Sequence, residues 1–322
     1  MTLAAPTSLT HVAVIGAGTV GSSWATFFLA RGLGVTVWDP APGFEARVNV
    51  YVERAWPVMQ RLGLAAGADP ARLRFAATAA EAVTGAPFVQ ESAPEDTVIK
   101  RALYAELDRA LGPDAVLASS SSGLLISELQ KGWTSAPRMV IGHPFNPPHL
   151  IPLVEVVGGP ETDPAVIDWA IAFYQSLGKP AIRLNREVTG HVANRLQSAL
   201  WREAVHLITT GVASAADVDT AIAYGPGLRW SLMGQTMVWH LGGGEGGLAR
   251  MFEILGPAIQ SWWDDLGAPD LTPEVKAKMV EQANASAAGQ SIAEIARRRD
   301  ELLIGLIETL GTIRGRLGPG VP

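Results

Sequence analysis

One stretch near the start limits what this chain can fold into. HVAVI (11–15) is an apolar run of strand length, and GAGTVG (16–21) follows it without a gap. VGSSWATFFLARG (20–32) then places Val20, Trp24, Phe27 and Phe28 on one face of a helix, and VTVWD (35–39) is a second strand candidate. A strand that enters a helix through Gly-x-Gly-x-x-Gly opens a dinucleotide-binding βαβ unit. Gly16 permits the tight turn, Gly18 lets the backbone approach a pyrophosphate, and Gly21 lets helix and strand pack closely. The run Gly16, Ala17, Gly18, Thr19, Val20, Gly21 is the expected phosphate cradle, with the helix N-terminus facing the anion. Asp39 closes the second strand eighteen residues after Gly21. A carboxylate there accepts hydrogen bonds from ribose hydroxyls and repels a 2′-phosphate, so the expected cofactor is NAD, not NADP. No Arg follows immediately, since the chain continues Pro40-Ala41-Pro42.

The alternation continues. A helical stretch around 43–63 is followed by AVLASS (115–120), MVIGH (139–143), LVEVV (153–157) and PAIRL (180–184). Strand–helix–strand order with uninterrupted apolar runs predicts an α/β domain whose mainly parallel sheet is covered on both faces. The character changes near 185–190. Val192, Leu196, Leu200 and Ala204 recur at four-residue spacing, and Ile295, Leu302, Leu303, Leu306 and Leu310 mark another helix. GPG (225–227) and GGGEGG (242–247) break the helical pattern. The expected fold class is α/β: a Rossmann-type NAD-binding domain over 1–188, then an all-helical domain over 189–322. At 322 residues the chain has the length of two domains.

Composition excludes several functions. A net charge of −6 and a mildly acidic pI disfavour nucleic acid and anionic membranes as partners, since those are held by clustered Lys and Arg. The absence of Cys excludes disulfides and thiolate metal sites. No two His stand at i and i+4, so no metal is expected. No uncharged apolar run reaches the ~20 residues of a membrane helix. MTLAAPTSLTHVAVIG lacks a basic start followed by a long apolar core, so no signal peptide is read there, and the expected location is the cytoplasm.

GHPFNPPHLIPLVEVV (142–157) carries the chemistry. Moving a hydride from an alcohol to NAD leaves a proton to be removed, and His is the usual acceptor. His143 stands just past an apolar strand, where open α/β sheets expose their ligand crevices. Pro144 biases the backbone there toward extended geometry. FNPPHLIP could turn back into LVEVV and bring Glu155 beside His143, where a carboxylate would fix the ring tautomer and stabilise the imidazolium. On spacing alone, Glu155 reads equally as a strand residue facing solvent. His149 reads as a loop residue, and the other four His have no comparable setting.

GAGTVG, Asp39, QESAPE (90–95), SSSSGL (119–124), GHPFNPP (142–148), LVEVVGG (153–159) and GHVANRL (190–196) occur together in this order. In this the whole chain resembles the 3-hydroxyacyl-CoA dehydrogenase superfamily. The resemblance implies an NAD-dependent dehydrogenase whose helical domain forms a homodimer. It implies that His143 is the acid/base, Glu155 its orienting partner, Ser122 (or Ser121) the group on the substrate hydroxyl, and Asn194 the group on the reacting oxygen. Glu95 matches the family glutamate near the nicotinamide, with Glu91 its rival.

Three substrate classes fit such a chain: a 3-hydroxyacyl-CoA, a sugar acid such as L-gulonate, and L-carnitine. ALWREAVHL (199–207), YGPGLRW (224–230), GGGEGG and QSIAEIARRRDELL (290–303) resemble the third most. A quaternary ammonium donates no hydrogen bond and is held on aromatic faces. Phe145, Trp201, Tyr224 and Trp230 are the candidates, with Trp201 two turns beyond Asn194, roughly 10 Å along one helix face. Arg229 or Arg195 could pair with the carboxylate. For each aromatic, ordinary packing is the competing reading. A non-catalytic, NAD-holding structural role is the alternative of a different class.

Overall fold

The computed structural model describes residues 2–317. The chain forms two compact units, Met1–Arg195 and Leu196–Pro322.

The first unit runs β1 (His11–Ile15), α1 (Thr19–Ala30), β2 (Gly34–Trp38), α2 (Phe44–Leu62), β3 (Leu73–Phe75), α3 (Ala79–Val83) and β4 (Phe88–Glu91). It continues with α4 (Thr97–Leu107), β5 (Val116–Ser119), α5 (Ile126–Leu129), β6 (Met139–Pro144), β7 (Val154–Val157), α6 (Pro164–Ser176) and β8 (Ala181–Arg183). Among the described residues the strands form one eight-stranded sheet in the order β3-β2-β1-β4-β5-β6-β7-β8. Every neighbouring pair is parallel except β6 and β7. The chain leaves β1 toward β2 and β3 on one side and returns to β4 on the other, so the strand order reverses between β1 and β4. Ligands of open α/β sheets bind outside the carboxyl ends of strands at such a point.

The apolar runs are explained by burial on both faces. In β1, Val12 and Val14 belong to one core with Trp24, Phe28, Phe88, Phe173 and Tyr174. Ala13 and Ile15 belong to the other, with Tyr104, Leu107, Leu117, Trp133 and Ile141. Removing side chains of this size from water contributes ~1.5–3 kcal/mol each. Trp24 stacks on Phe28 with ring centroids 5.2 Å apart. The sequence reading passed over β3 and β4. β4, Phe88-Val89-Gln90-Glu91, is fully buried yet half polar, so it lacks the apolar signature of its neighbours. Its polar pair is satisfied internally. Gln90 Oε1 accepts from the Tyr174 hydroxyl at 2.6 Å, and Glu91 pairs with Lys100 at 2.6 Å.

Helix α7 (Ala193–Thr209) crosses the boundary between the units. The second unit continues with α8 (Ala215–Tyr224), α9 (Pro226–Trp230), α10 (Gln235–Gly242), α11 (Gly247–Asp265), α12 (Pro273–Ala287) and α13 (Ile292–Leu317). Ser214 and Thr272 cap α8 and α12 by accepting the N–H groups of Asp217 and Val275. Ala204, Ile208, Ala215 and Val218 form a small core. The expected stripe on α7 is only partly inside: Ala204 is buried, but Leu196 is 68% exposed and Leu200 38%. Leu302 and Leu306 on α13 are likewise exposed.

Candidate active site

The glycine turn is built as its spacing requires. Gly16 has φ +94°, and a Cβ there would lie 2.6 Å from the Ser92 backbone. A Cβ on Gly21 would lie 1.8 Å from the Gly16 carbonyl oxygen, so only glycine lets α1 start this close to β1. A Cβ on Gly18 would meet nothing within 4 Å, so that backbone faces open space. Gly18 is the N-cap of α1, and no side chain caps the helix. Unclaimed N–H groups at a helix start, beside open space, suit a phosphate group. Asp39 Oδ2 accepts the Ala17 N–H at 2.7 Å, and Oδ1 accepts that of Ala41 at 2.8 Å. The carboxylate is thus fixed beside the turn with lone pairs to spare for ribose hydroxyls. These residues fit NAD.

The His143–Glu155 geometry follows from the sheet. β6 and β7 pair antiparallel with His143 opposite Glu155. Glu155 Oε2 lies 2.8 Å from His143 Nδ1, and both side chains are buried. Glu155 Oε1 accepts the N–H groups of Val192 and Ala193, at 2.9 and 3.0 Å, where α7 begins. Burial raises the Glu155 carboxyl, but the His143 bond and these two N–H groups outweigh it and hold it below its ordinary value. It is therefore a carboxylate, and it orients the ring so that Nε2 is left for other work.

The serine loop is clamped from below. Glu95 Oε1 accepts the Ser121 hydroxyl at 2.7 Å and the N–H groups of Ser122, Gly123 and Leu124 at 2.9, 2.8 and 3.2 Å. Burial raises the Glu95 carboxyl, but the Ser121 bond and the loop N–H groups, with Lys100 nearby, hold it below its ordinary value. Ser121 is fully buried, and its oxygen also accepts the Leu124 N–H. Of the two serines considered, Ser121 is therefore committed to the loop. Asn194 Nδ2 donates to the Ser122 carbonyl at 3.5 Å. Glu91 lies deeper, where Lys100, Tyr104 and Ser119 all donate to it.

Phe145 packs edge-on to His143, ring centroids 5.4 Å apart. His149 lies in the loop, its Nδ1 2.8 Å from the Ser23 hydroxyl. His191 was read as having no special setting, and the structure corrects this. Its ring centroid is 5.0 Å from that of His143, and its Nε2 is 3.0 Å from the Ser121 carbonyl oxygen. The remaining expected residues belong to the second unit. Trp201 is half-exposed and lines a cavity of about 530 Å³ with Leu200, Ile222 and Met279. Arg229 and Trp230 lie on α9, and the Trp230 indole N–H donates to Gln235. Tyr224 is exposed at the end of α8, and Arg195 donates to the Thr189 carbonyl at 3.4 Å. Among the described residues no group of three or more His, Asp or Glu could hold a metal ion, and no helix is long and apolar enough to cross a membrane.

Comparison with known proteins places this geometry in a family. Residues 11–188 match the model of the 3-hydroxyacyl-CoA dehydrogenase NAD-binding domain, and residues 190–289 match that of its C-terminal domain. The chain belongs to the 3-hydroxyacyl-CoA dehydrogenase family. As a member it is an NAD-dependent dehydrogenase of 3-hydroxy acids, with NAD as its cofactor. The chain is 48% identical to an L-carnitine dehydrogenase of Streptomyces coelicolor, covering 98% of both chains. It is 46% identical to one of Bacillus cereus, over 94% of this chain and 93% of the other. Among solved structures it is similar to 5-formyl-3-hydroxy-2-methylpyridine 4-carboxylic acid 5-dehydrogenase, described as an NAD+-dependent dismutase. That match has a TM-score of 0.80 and 30% identity, over 94% of this chain and 97% of the other.

Proposed function

We propose that this dehydrogenase oxidises the 3-hydroxyl of L-carnitine to 3-dehydrocarnitine, with His143 as the general base. The chemistry rests chiefly on one observation: Glu155 holds His143 by Nδ1 while bound to the start of α7. The choice of substrate rests on the near full-length similarity to L-carnitine dehydrogenases.

The Gly16–Gly21 turn would hold the pyrophosphate of NAD, Asp39 its adenosine ribose, and Glu95, by family resemblance, would lie toward its nicotinamide end. Bound NAD supplies the acceptor for the hydride that leaves the substrate's carbinol carbon. The substrate hydroxyl sits between His143 Nε2 and the Ser122 hydroxyl. His143 takes its proton at Nε2, and the Glu155 carboxylate stabilises the imidazolium that forms. Asn194 orients the same oxygen as it becomes a carbonyl. Phe145 supplies a face for the trimethylammonium. Oxidation releases a proton, so each rise of one pH unit favours it by about tenfold. We take the NAD-binding domain as 1–188 and the helical domain as 189–322, and the exposed apolar faces of α7 and α13 support a homodimer formed through the latter.

The test is NADH formation with L-carnitine, 3-hydroxybutyryl-CoA and L-gulonate in parallel. Turnover with L-carnitine well above the other two supports the reading. Turnover confined to either of the others would replace the substrate and keep the mechanism. No turnover with any of the three would mean that this dehydrogenase acts on a different 3-hydroxy acid.

A further inference from the structure

His191 lies outside the proton path just described, yet its setting is unusual. It is only 2% exposed. It has φ +49°, one of two non-glycine residues with positive φ among the described residues, and it follows Gly190 at φ +76°. Isolated left-handed residues of this kind persist where their surroundings fix them, and they cluster at functional sites. The next two N–H groups, of Val192 and Ala193, are those that bind Glu155. The left-handed corner thus aims the start of α7 at the carboxylate behind His143.

The side chain ties a second part of the site to the same corner. A carbonyl oxygen only accepts, so Nε2 of His191 carries a proton and donates it to Ser121 O. The serine loop is then held from two sides: Glu95 takes its N–H groups, and His191 takes its Ser121 carbonyl. The other ring nitrogen, Nδ1, is buried with no hydrogen-bond partner among the described residues. Protonating it would bury a cation with no acceptor against a neighbour that must itself become cationic. The titratable groups around His191 are His143 on β6, Glu155 on β7 and Glu95 beyond β4. Burial lowers the proton affinity of His191, and His143 adds to this; the Ser121 carbonyl and the two carboxylates oppose it without reversing it.

We propose that His191 is a positioning residue of the active site. Fixed as the neutral Nε2–H tautomer, it locks the serine loop and the start of α7 to the face of His143 and keeps a second positive charge away from the base. This rests on His143 being the base. It adds a requirement that the base alone does not impose: the partner ring must stay uncharged throughout the range in which the base works.

Two measurements test it. The first is the nitrogen NMR of the intact enzyme labelled with 15N-histidine, with the His191 signals assigned by their loss in His191→Gln. The expected result is a neutral Nε2–H tautomer that does not titrate between about pH 6 and 9. Titration in that window, or an Nδ1–H tautomer, overturns the proposal. The second compares His191→Phe, which keeps a ring and removes the donor, with His191→Gln, which keeps an N–H donor. We expect His191→Phe to lower kcat by about tenfold to a hundredfold with NADH affinity unchanged, and His191→Gln to recover most of the loss. The wild-type acid limb of kcat/KM should have the slope of one ionisation. A His191→Phe enzyme with wild-type kcat, or a two-proton acid limb in the wild type, overturns the proposal. If His191→Phe does not fold, the NMR tautomer and the His191→Gln rate still decide. Retained turnover in His143→Ala would remove the base reading without changing the His191 signals. A titrating His191 would remove this inference and leave His143 as the base.

Discussion

His143 and Glu155 stand twelve residues apart, and sequence spacing left Glu155 balanced between a solvent-facing strand residue and a partner. Strand register decides the geometry, because a shift of one residue would turn Glu155 to the opposite face of the sheet. That register was not readable from the sequence. His191 was missed for a related reason: a left-handed φ and a carbonyl seventy positions away leave no trace in composition or period. The place of Asp39 beside the glycine turn was legible, because its distance from that turn is itself the signal. Replacing Asp39 with Ala removes a charge-assisted acceptor worth about 1.5–3 kcal/mol. The ratio of NADPH to NADH dissociation constants should therefore fall by roughly tenfold to a hundredfold, and fluorescence titration checks it. An unchanged ratio would separate Asp39 from cofactor choice. Phe145 presents its ring 5.4 Å from that of His143, centroid to centroid. A cation on that face gains ~0.5–2 kcal/mol, so Phe145→Ala should raise the KM for L-carnitine about twofold to thirtyfold. Equal losses with an uncharged 3-hydroxy acid would argue for packing instead.

At the scale of elements, the strand–turn–helix opening and most strands were legible because their patterns are local. β4 was not, since its polar residues are paid for by partners on other elements. Lys179 shows the same limit. It is buried with no carboxylate partner among the described residues, and its Nζ donates to the carbonyls of Pro148 and Ile151 at 2.6 and 3.1 Å. It also lies over the rings of Trp24 and Phe27 on α1, at 5.0 and 4.3 Å. It therefore ties the loop between His143 and Glu155 to the helix that opens the cofactor turn. Burial, with Arg31 adding repulsion, lowers its pKa from 10.5 to about 7. Between those values the unfolded chain binds more protons at this site than the folded one, so the site makes stability rise with pH across that window. Lys179→Met should flatten that rise, by an amount on the order of a few kcal/mol. Urea melts across that range check it. An equal slope in both proteins would mean that the buried amine keeps its ordinary proton affinity.

At the scale of the whole molecule, two units were expected from the change of pattern near 185–190, and compact units divide between Arg195 and Leu196. The helical nature of the second unit was legible, but the fate of its apolar stripe was not. Periodicity shows that a face is apolar and not what covers it. Leu196, Leu200, Leu302 and Leu306 are exposed in the single chain. Surfaces of this kind mark association sites. Sedimentation equilibrium should therefore give twice the chain mass, and Leu196→Glu together with Leu302→Glu should shift it toward the monomer. A wild-type monomer at all concentrations would contradict the dimer.

The most direct test of the central claim is the initial rate of NADH formation from L-carnitine by wild type and His143→Ala, with NADH affinity measured on both. The account predicts turnover by the wild type and a loss of about a hundredfold or more in His143→Ala, the range for removing a general base, with NADH affinity retained. Near-normal turnover by His143→Ala would contradict it.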